Sequence, residues 1–196
     1  MRIDHVIWAA SDLDAAGACV CDALGVEAAG GGRHEGLGTE NLIFPLGGGY
    51  VEVIAVADVD EASRAIIGAG LLSRLRDVGD GLWGWAVSVE DVAALGLPVV
   101  PIAREGMSAR LAGVMDAMAD PSLPFFITRD AGVADPGASA SGGPGFAWVE
   151  VAGESELLRS WLGDALDSLG VRVVAPDGSP RGVRAVGVGE RELRGS

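Results

Sequence analysis

The chain has no lysine and no glutamine, and it holds only two histidines, two cysteines, one asparagine and one tyrosine among 196 residues. Without lysine, the run Gly30-Gly31-Gly32 is followed by no Gly-Lys-Ser/Thr, which excludes a phosphate-cradling nucleotide loop and with it a nucleotide cofactor. Cys19 and Cys21 lie about 200° apart around a helix axis, too far to bridge within it. No His or Cys neighbours them as a knuckle partner, so they are expected to be small buried thiols. No apolar run approaches the roughly 18 residues that span a bilayer. Met1-Arg2-Ile3-Asp4-His5 does not read as a signal peptide, because an acid and a histidine interrupt it. Basic residues number 14, all of them arginine, against 28 acids, a net charge of -14 that disfavours nucleic acid and anionic membranes. Neither a Gly-x-Ser-x-Gly elbow nor an HExxH motif occurs. These exclusions leave a cytoplasmic globular protein acting on small molecules.

What is present is concentrated. The scarce polar types (His5, His34, Asn41 and Tyr50) all fall between residues 5 and 50, and Glu52 follows directly. In so biased a composition this cluster marks the first quarter of the chain as the candidate site.

Three stretches resemble one another. The first has an apolar strand at 3–10 and a helix that Ser11 can cap, with Leu13, Ala16, Val20 and Leu24 on one stripe and a stop at Gly25. Strands at 41–46 and 50–56 follow, joined by Gly47-Gly48-Gly49, a hairpin signal. The second stretch opens with Trp83-Gly84-Trp85-Ala86-Val87. It continues with a short helix at 90–95 and strands at 99–103, 110–116 and 124–129. The third begins near Phe146 and carries a strongly amphipathic helix from Leu157 to Leu169, then strands at 171–175 and 183–188. Each helix ends in Leu-Gly, and each unit reads strand, helix, then two or three strands. The expected organisation is one domain: a first module over 1–57, a helical connection over 58–80, a second module over 81–134, an exposed mobile loop over 135–145, and a partial third module over 146–196.

The segments Ile3-Asp4-His5-Val6, Ser11-Asp12-Leu13-Asp14, Gly32-Arg33-His34-Glu35-Gly36-Leu37-Gly38-Thr39-Glu40-Asn41, Gly49-Tyr50-Val51-Glu52-Val53-Ile54 and Leu123-Pro124-Phe125-Phe126-Ile127 resemble a glyoxalase-like domain of the vicinal-oxygen-chelate superfamily. The resemblance implies an α+β fold of tandem βαβββ modules whose curved mixed sheets enclose a cleft, and a homodimer as the candidate assembly. It also implies a divalent metal held by a His on the first strand and a Glu on the last strand of a module, with a second pair from the partner module. His5 and Glu52 match the first pair. The strands that would supply the second read Trp83-Gly84-Trp85-Ala86-Val87 and Phe125-Phe126-Ile127-Thr128, with neither His nor Glu.

Strand alternation puts Ile3, His5 and Ile7 on one face, and Tyr50, Glu52 and Ile54 on another. If both faces meet one hollow, His5 and Glu52 converge. Glu52 can then ligate a divalent cation with His5, pair directly with His5 without metal, or reach water. His34, in a glycine-rich loop, is either a surface residue or a mobile acid/base that closes over the cleft with Glu52 as its catalytic partner. Thr39, Asn41 and Tyr50 are candidate substrate contacts, although Asn41 equally suits a strand-start cap. Trp83 and Trp85, expected on one face, form a candidate aromatic wall, and both also suit the core. Arg104, Arg110 and Arg129 are each able to meet a substrate carboxylate. Two functions remain open: a metal-assisted lyase, isomerase, hydrolase or dioxygenase, and a metal-free ligand-sequestering protein resembling the bleomycin-resistance proteins.

Overall fold

Alternating burial and glycine punctuation define the elements along the chain. The computed structural model describes residues 1–104, 107–139 and 143–195. Strand β1 (Arg2–Ala10) leads into helix α1 (Leu13–Leu24). Asp12 rather than Ser11 caps this helix, its carboxylate accepting from the Ala15 amide at 2.9 Å. The Ser11 hydroxyl instead donates to Asp80. Gly25 ends the helix in the left-handed conformation. Ala16, Gly17, Val20 and Leu24 form its buried stripe. Cys19 is exposed and Cys21 half-buried, because both flank that stripe; the expected burial of the two thiols is corrected.

Strands β2 (Gly30–His34), β3 (Thr39–Pro45) and β4 (Tyr50–Val56) complete the first unit. β2 is invisible to periodicity, since Gly30, Gly31 and Gly32 have no side chains to alternate. It exists through its antiparallel ladder with β3. The helical connection expected over 58–80 is broken into α2 (Val59–Ala62) and α3 (Ile66–Asp77). Strand β5 (Gly81–Ser88) and a 3₁₀ turn at Val92–Leu95 precede β6 (Val99–Arg104) and β7 (Met107–Ala112). The strand expected over 110–116 ends at Ala112. Gly113 then turns the chain through a positive φ into helix α4 (Val114–Ala119). β8 (Phe125–Arg129) follows. The last unit contains β9 (Trp148–Ala152), α5 (Ser155–Leu162), β10 (Val171–Val174), β11 (Gly182–Val188) and a strand not foreseen, β12 (Arg191–Arg194).

Eight strands form one sheet in the order β2-β3-β4-β1-β5-β8-β7-β6, and four form a second, β10-β9-β11-β12. The large sheet has two like halves meeting at the antiparallel β1–β5 pair. In each half the first strand runs parallel to the last: β1 with β4, and β5 with β8. All eight strands contribute residues to one cavity of about 720 Å³, so the sheet curls around it. The opposite face carries Val6, Trp8, Val51, Val53, Trp85 and Phe126. It packs under α1, α5, β9 and β11 in a continuous hydrophobic core. Among the described residues no helix is long and apolar enough to cross a membrane.

The segment expected as an exposed mobile loop over 135–145 is packed down where it is described; residues 140–142 lie outside the described residues. The Gly47 amide donates to the Gly137 carbonyl at 2.9 Å, and the Gly145 amide donates to the Leu46 carbonyl at 2.7 Å. Gly137 sits so close to Gly49 that a Cβ there would lie 2.6 Å from the Gly49 carbonyl oxygen.

The loop from His34 to Thr39 is locked onto α2. Gly38 has a φ of +65°, and a Cβ there would lie 2.2 Å from the Ala62 amide nitrogen. Gly36 has a φ of +77° with open space around it. Gly36→Ala is expected to lose only the left-handed backbone cost, about 1–2 kcal/mol. Gly38→Ala is expected to lose at least about 2 kcal/mol more, because backbone must move. Urea unfolding midpoints of the two variants check the difference.

Candidate functional site

The floor of the cavity is set by an irregularity in β1. Its pairing with β5 matches Ile3 with Val87 and His5 with Ala86, so Asp4 is an extra residue, a β-bulge. The bulge resets the alternation. Ile3 joins Val6 and Trp8 in the core, while His5 and Ile7 line the cavity. It also lets two consecutive side chains, Asp4 and His5, reach the same side.

Asp4 is completely buried. Its two oxygens accept a bidentate pair from Arg129 on β8, at 2.6 and 2.8 Å. One of them also meets His5 Nδ1 at 2.8 Å. Burial alone would raise the pKa of this carboxyl. Hydrogen bonds from Arg129 and His5, with their charges, more than reverse that and hold it well below the usual carboxylate range. Burial alone would lower the Arg129 pKa, and the paired Asp4 carboxylate raises it instead. An ionised Asp4 only accepts, so His5 Nδ1 carries hydrogen and Nε2 faces the cavity.

Nε2 lies 3.7 Å from Glu52 Oε2, too far for a hydrogen bond. The other Glu52 oxygen accepts from the Asn41 side-chain amide. Asn41 Oδ1 in turn accepts from the Gly32 backbone amide at 3.1 Å, which fixes which end of the amide faces Glu52. Tyr50 stacks on the His5 ring at 4.7 Å between centroids. Burial, then the charges of Glu52 and Asp4, push its phenol well above its ordinary pKa, so it stays protonated at neutral pH. A continuous polar line thus runs Arg129–Asp4–His5···Glu52–Asn41 along one wall.

The other expected residues fall at different distances from this line. His34 borders the cavity, and its Nδ1 meets the Thr39 hydroxyl at 2.8 Å. Thr39 is itself fully buried and does not line the cavity. Trp83 lines the cavity, but Trp85 does not. A second bulge, in β5 near Gly84, puts Trp85 on the opposite face, where its indole donates to the Ser122 carbonyl at 3.0 Å. The shared face expected for the two tryptophans is therefore corrected, and with it the placement of Trp85 against a substrate. Of the arginines weighed for a substrate carboxylate, Arg110 is turned outward to Asp91, and Arg129 is committed to Asp4. Sequence reasoning gave Asp4 no role. A bulge is a backbone event without a residue signature, and strict alternation pointed Asp4 away from His5.

The donor set was tested against a four-ligand metal centre. By the symmetry of the two half-sheets, Ala86 on β5 stands where His5 stands on β1, and Ile127 on β8 where Glu52 stands on β4. Both are buried in hydrocarbon with Leu111 and Val114. Among the described residues no group of three or more His, Cys, Asp or Glu is placed to share an ion. The residues do not fit such a centre.

Residues 3–166 match the family model described as glyoxalase-like domain. The chain belongs to the glyoxalase-like domain family. It shares the fold of the vicinal-oxygen-chelate superfamily. A variant of methylmalonyl-CoA epimerase from Streptomyces coelicolor, in complex with 2-nitronate-propionyl-CoA, is 21% identical with a TM-score of 0.51, over 67% of this chain and 99% of that one. A methylmalonyl-CoA epimerase in complex with methylmalonyl-CoA and NH4+ is 21% identical with a TM-score of 0.50, over 69% and 98%. A hypothetical protein from Staphylococcus aureus is 18% identical with a TM-score of 0.59, over 82% and 73%. These likenesses are likenesses of fold. No curated protein matches the sequence.

The Asp4–Arg129 pair yields a prediction with a definite pH sign. Arg129→Met strands a buried carboxylate and is expected to cost about 3–5 kcal/mol at neutral pH. Because the folded pKa of Asp4 is depressed, the pair's stabilisation is fully present above the unfolded value of about 4 and is lost as pH falls below it. The gap between wild type and Arg129→Met should therefore be widest at neutral pH and narrow as pH falls into the acid range, where the buried Asp4 of the variant takes up a proton and that of the wild type does not. Denaturant titrations across that range check it.

Proposed function

We propose that this protein is an enzyme of proton transfer beside a carbonyl, a lyase- or isomerase-type reaction on a small organic substrate, run by Glu52 and His5 without a resident metal. The observation that carries the reading is the meeting of His5 Nε2 and Glu52 Oε2, 3.7 Å apart, at the floor of a large, mostly apolar cavity. Convergent polar groups in an apolar hollow are the usual mark of an active site.

The chemistry follows from the connections of each group. Glu52 Oε2 takes the proton from the carbon next to the carbonyl, and the electron pair moves onto the carbonyl oxygen as an enolate. The ring of His5, in its protonated form, donates Nε2–H to that oxygen while Asp4 holds Nδ1–H. Asn41 orients Glu52 by donating to its other oxygen. Return of the proton to the opposite face of that carbon completes an isomerisation, and departure of a leaving group from the neighbouring carbon with its bonding pair, as the enolate pair forms the carbon–carbon double bond and the carbonyl is restored, completes an elimination. His34, at the cavity border, is the candidate acid for a second proton site. Tyr50, Asn41 and Trp83 are the proposed substrate contacts, and the setting is taken as cytoplasmic.

The four-ligand chemistry of the superfamily is not carried over, since Ala86 and Ile127 replace its second ligand pair. The coenzyme A thioesters of the epimerase neighbours are not carried over either, because lysine is absent and the net charge is -14.

The test is solvent deuterium exchange into a panel of small ketones and aldehydes, followed by NMR. Wild type is expected to catalyse exchange α to the carbonyl, and Glu52→Gln to lose about 10²–10⁴-fold of it. Full activity should survive chelation, and elemental analysis should find no stoichiometric metal. Stoichiometric metal that is lost in His5→Ala, with activity lost alongside, would overturn the metal-free reading.

A further inference from the structure

The cavity is chemically divided along the β1–β5 seam. One half, from β1 to β4, presents His5, Asn41, Tyr50 and Glu52. The other half presents hydrocarbon: Ile102, Leu111, Val114, Met118, Phe125 and Ile127. The hydrocarbon is continuous with a buried cluster beneath it, so it is a built apolar surface rather than scattered side chains. The positions symmetry-related to His5 and Glu52, Ala86 and Ile127, belong to this cluster.

Charge is divided as well. Glu35 and Glu52 are the acids on the lining, Arg33 and Arg129 its described arginines. Arg129 is tied to both oxygens of Asp4, and Arg33 pairs with Glu61 at 3.2 Å, outside the cavity. A substrate carboxylate at the reacting end would face Glu52, with no uncommitted guanidinium among the described side chains to offset it, and the His5 ring already lies between the carboxylates of Asp4 and Glu52. At the far end it would be set into hydrocarbon.

Resting on the proposed roles of Glu52 and His5, we infer that the substrate is an uncharged carbonyl compound whose apolar chain or ring extends from His5 across the seam toward Met118. The carbonyl is held between His5 and Glu52, and the tail displaces water from the Leu111–Ile127 surface. The cavity volume of about 720 Å³ leaves room for such a tail beyond the reacting carbons. Specificity then comes from tail length through the area buried, and from exclusion of charge at either end.

Calorimetric binding of 2-alkanones from four to nine carbons to the intact protein tests this, alongside 2-oxo acids, ω-carboxylates and ω-amines of matching length. Affinity should rise about four-fold for each added methylene until the hydrocarbon half is filled. Each charged analogue should bind at least ten-fold more weakly than the neutral ketone of its length. Met118→Gln, at a half-buried position on the cavity lining, should flatten the chain-length slope while circular dichroism remains that of wild type. Glu52→Gln should retain the slope while losing deuterium exchange. A flat series in wild type, tighter binding of any charged analogue, or no binding of the longest ketone at its solubility limit overturns the inference. The expected slope without deuterium exchange in wild type would instead overturn the proton-transfer roles and leave the ligand class standing.

Discussion

The ion pair between Asp4 and Arg129 is the constraint around which the rest is arranged. It joins β1 to β8, strands of opposite half-sheets and 125 residues apart in sequence. A carboxylate with no exposed surface is tolerable only if its charge is paired and hydrogen-bonded. The guanidinium fork and the His5 ring together give it three such contacts. In return the ring is held by its Nδ1–H with Nε2 directed into the cavity. The same contact therefore closes the two halves of the sheet over each other and aims the histidine.

The two halves share a strand plan and differ in chemistry. Each has a first strand parallel to its last, and the corresponding positions can be matched one to one. In the first half those positions carry an imidazole and a carboxylate, while in the second they carry a methyl group and a butyl chain. Polar work is confined to one side, and the other side supplies volume and hydrocarbon. Function here resides in a handful of side chains placed on a widely used scaffold, and the scaffold alone does not specify the reaction.

Much of this was legible before any coordinates. The strand at residues 50–56 and the face shared by Tyr50, Glu52 and Ile54 follow from simple alternation, because β4 is regular and buried on both sides. The scarcity of histidine, asparagine and tyrosine located the polar wall. What escaped were features that depend on backbone rather than on side-chain pattern. β2 is a strand made largely of glycine, and the bulges at Asp4 and near Gly84 each shift the alternation by one residue. The first brought Asp4 to His5, and the second sent Trp85 into the core. The glycine-rich stretch after residue 135 was taken for a loose loop because glycine suggests freedom. In fact Gly137 and Gly143 are small so that their backbones can lie against residues 46–49.

The paired bulges at the central seam carry an implication for the redesign of this sheet. One lies on β1 and the other on β5, at different heights, so the two strands are not interchangeable segments. Transplanting one into the place of the other would invert inward and outward residues beyond the point of insertion. The tryptophan that now anchors the interior would be brought to the hollow, and the imidazole would be turned into oil. The difference between the halves is in this sense locked by register, and an exchange of strands within the sheet would have to move both irregularities at once.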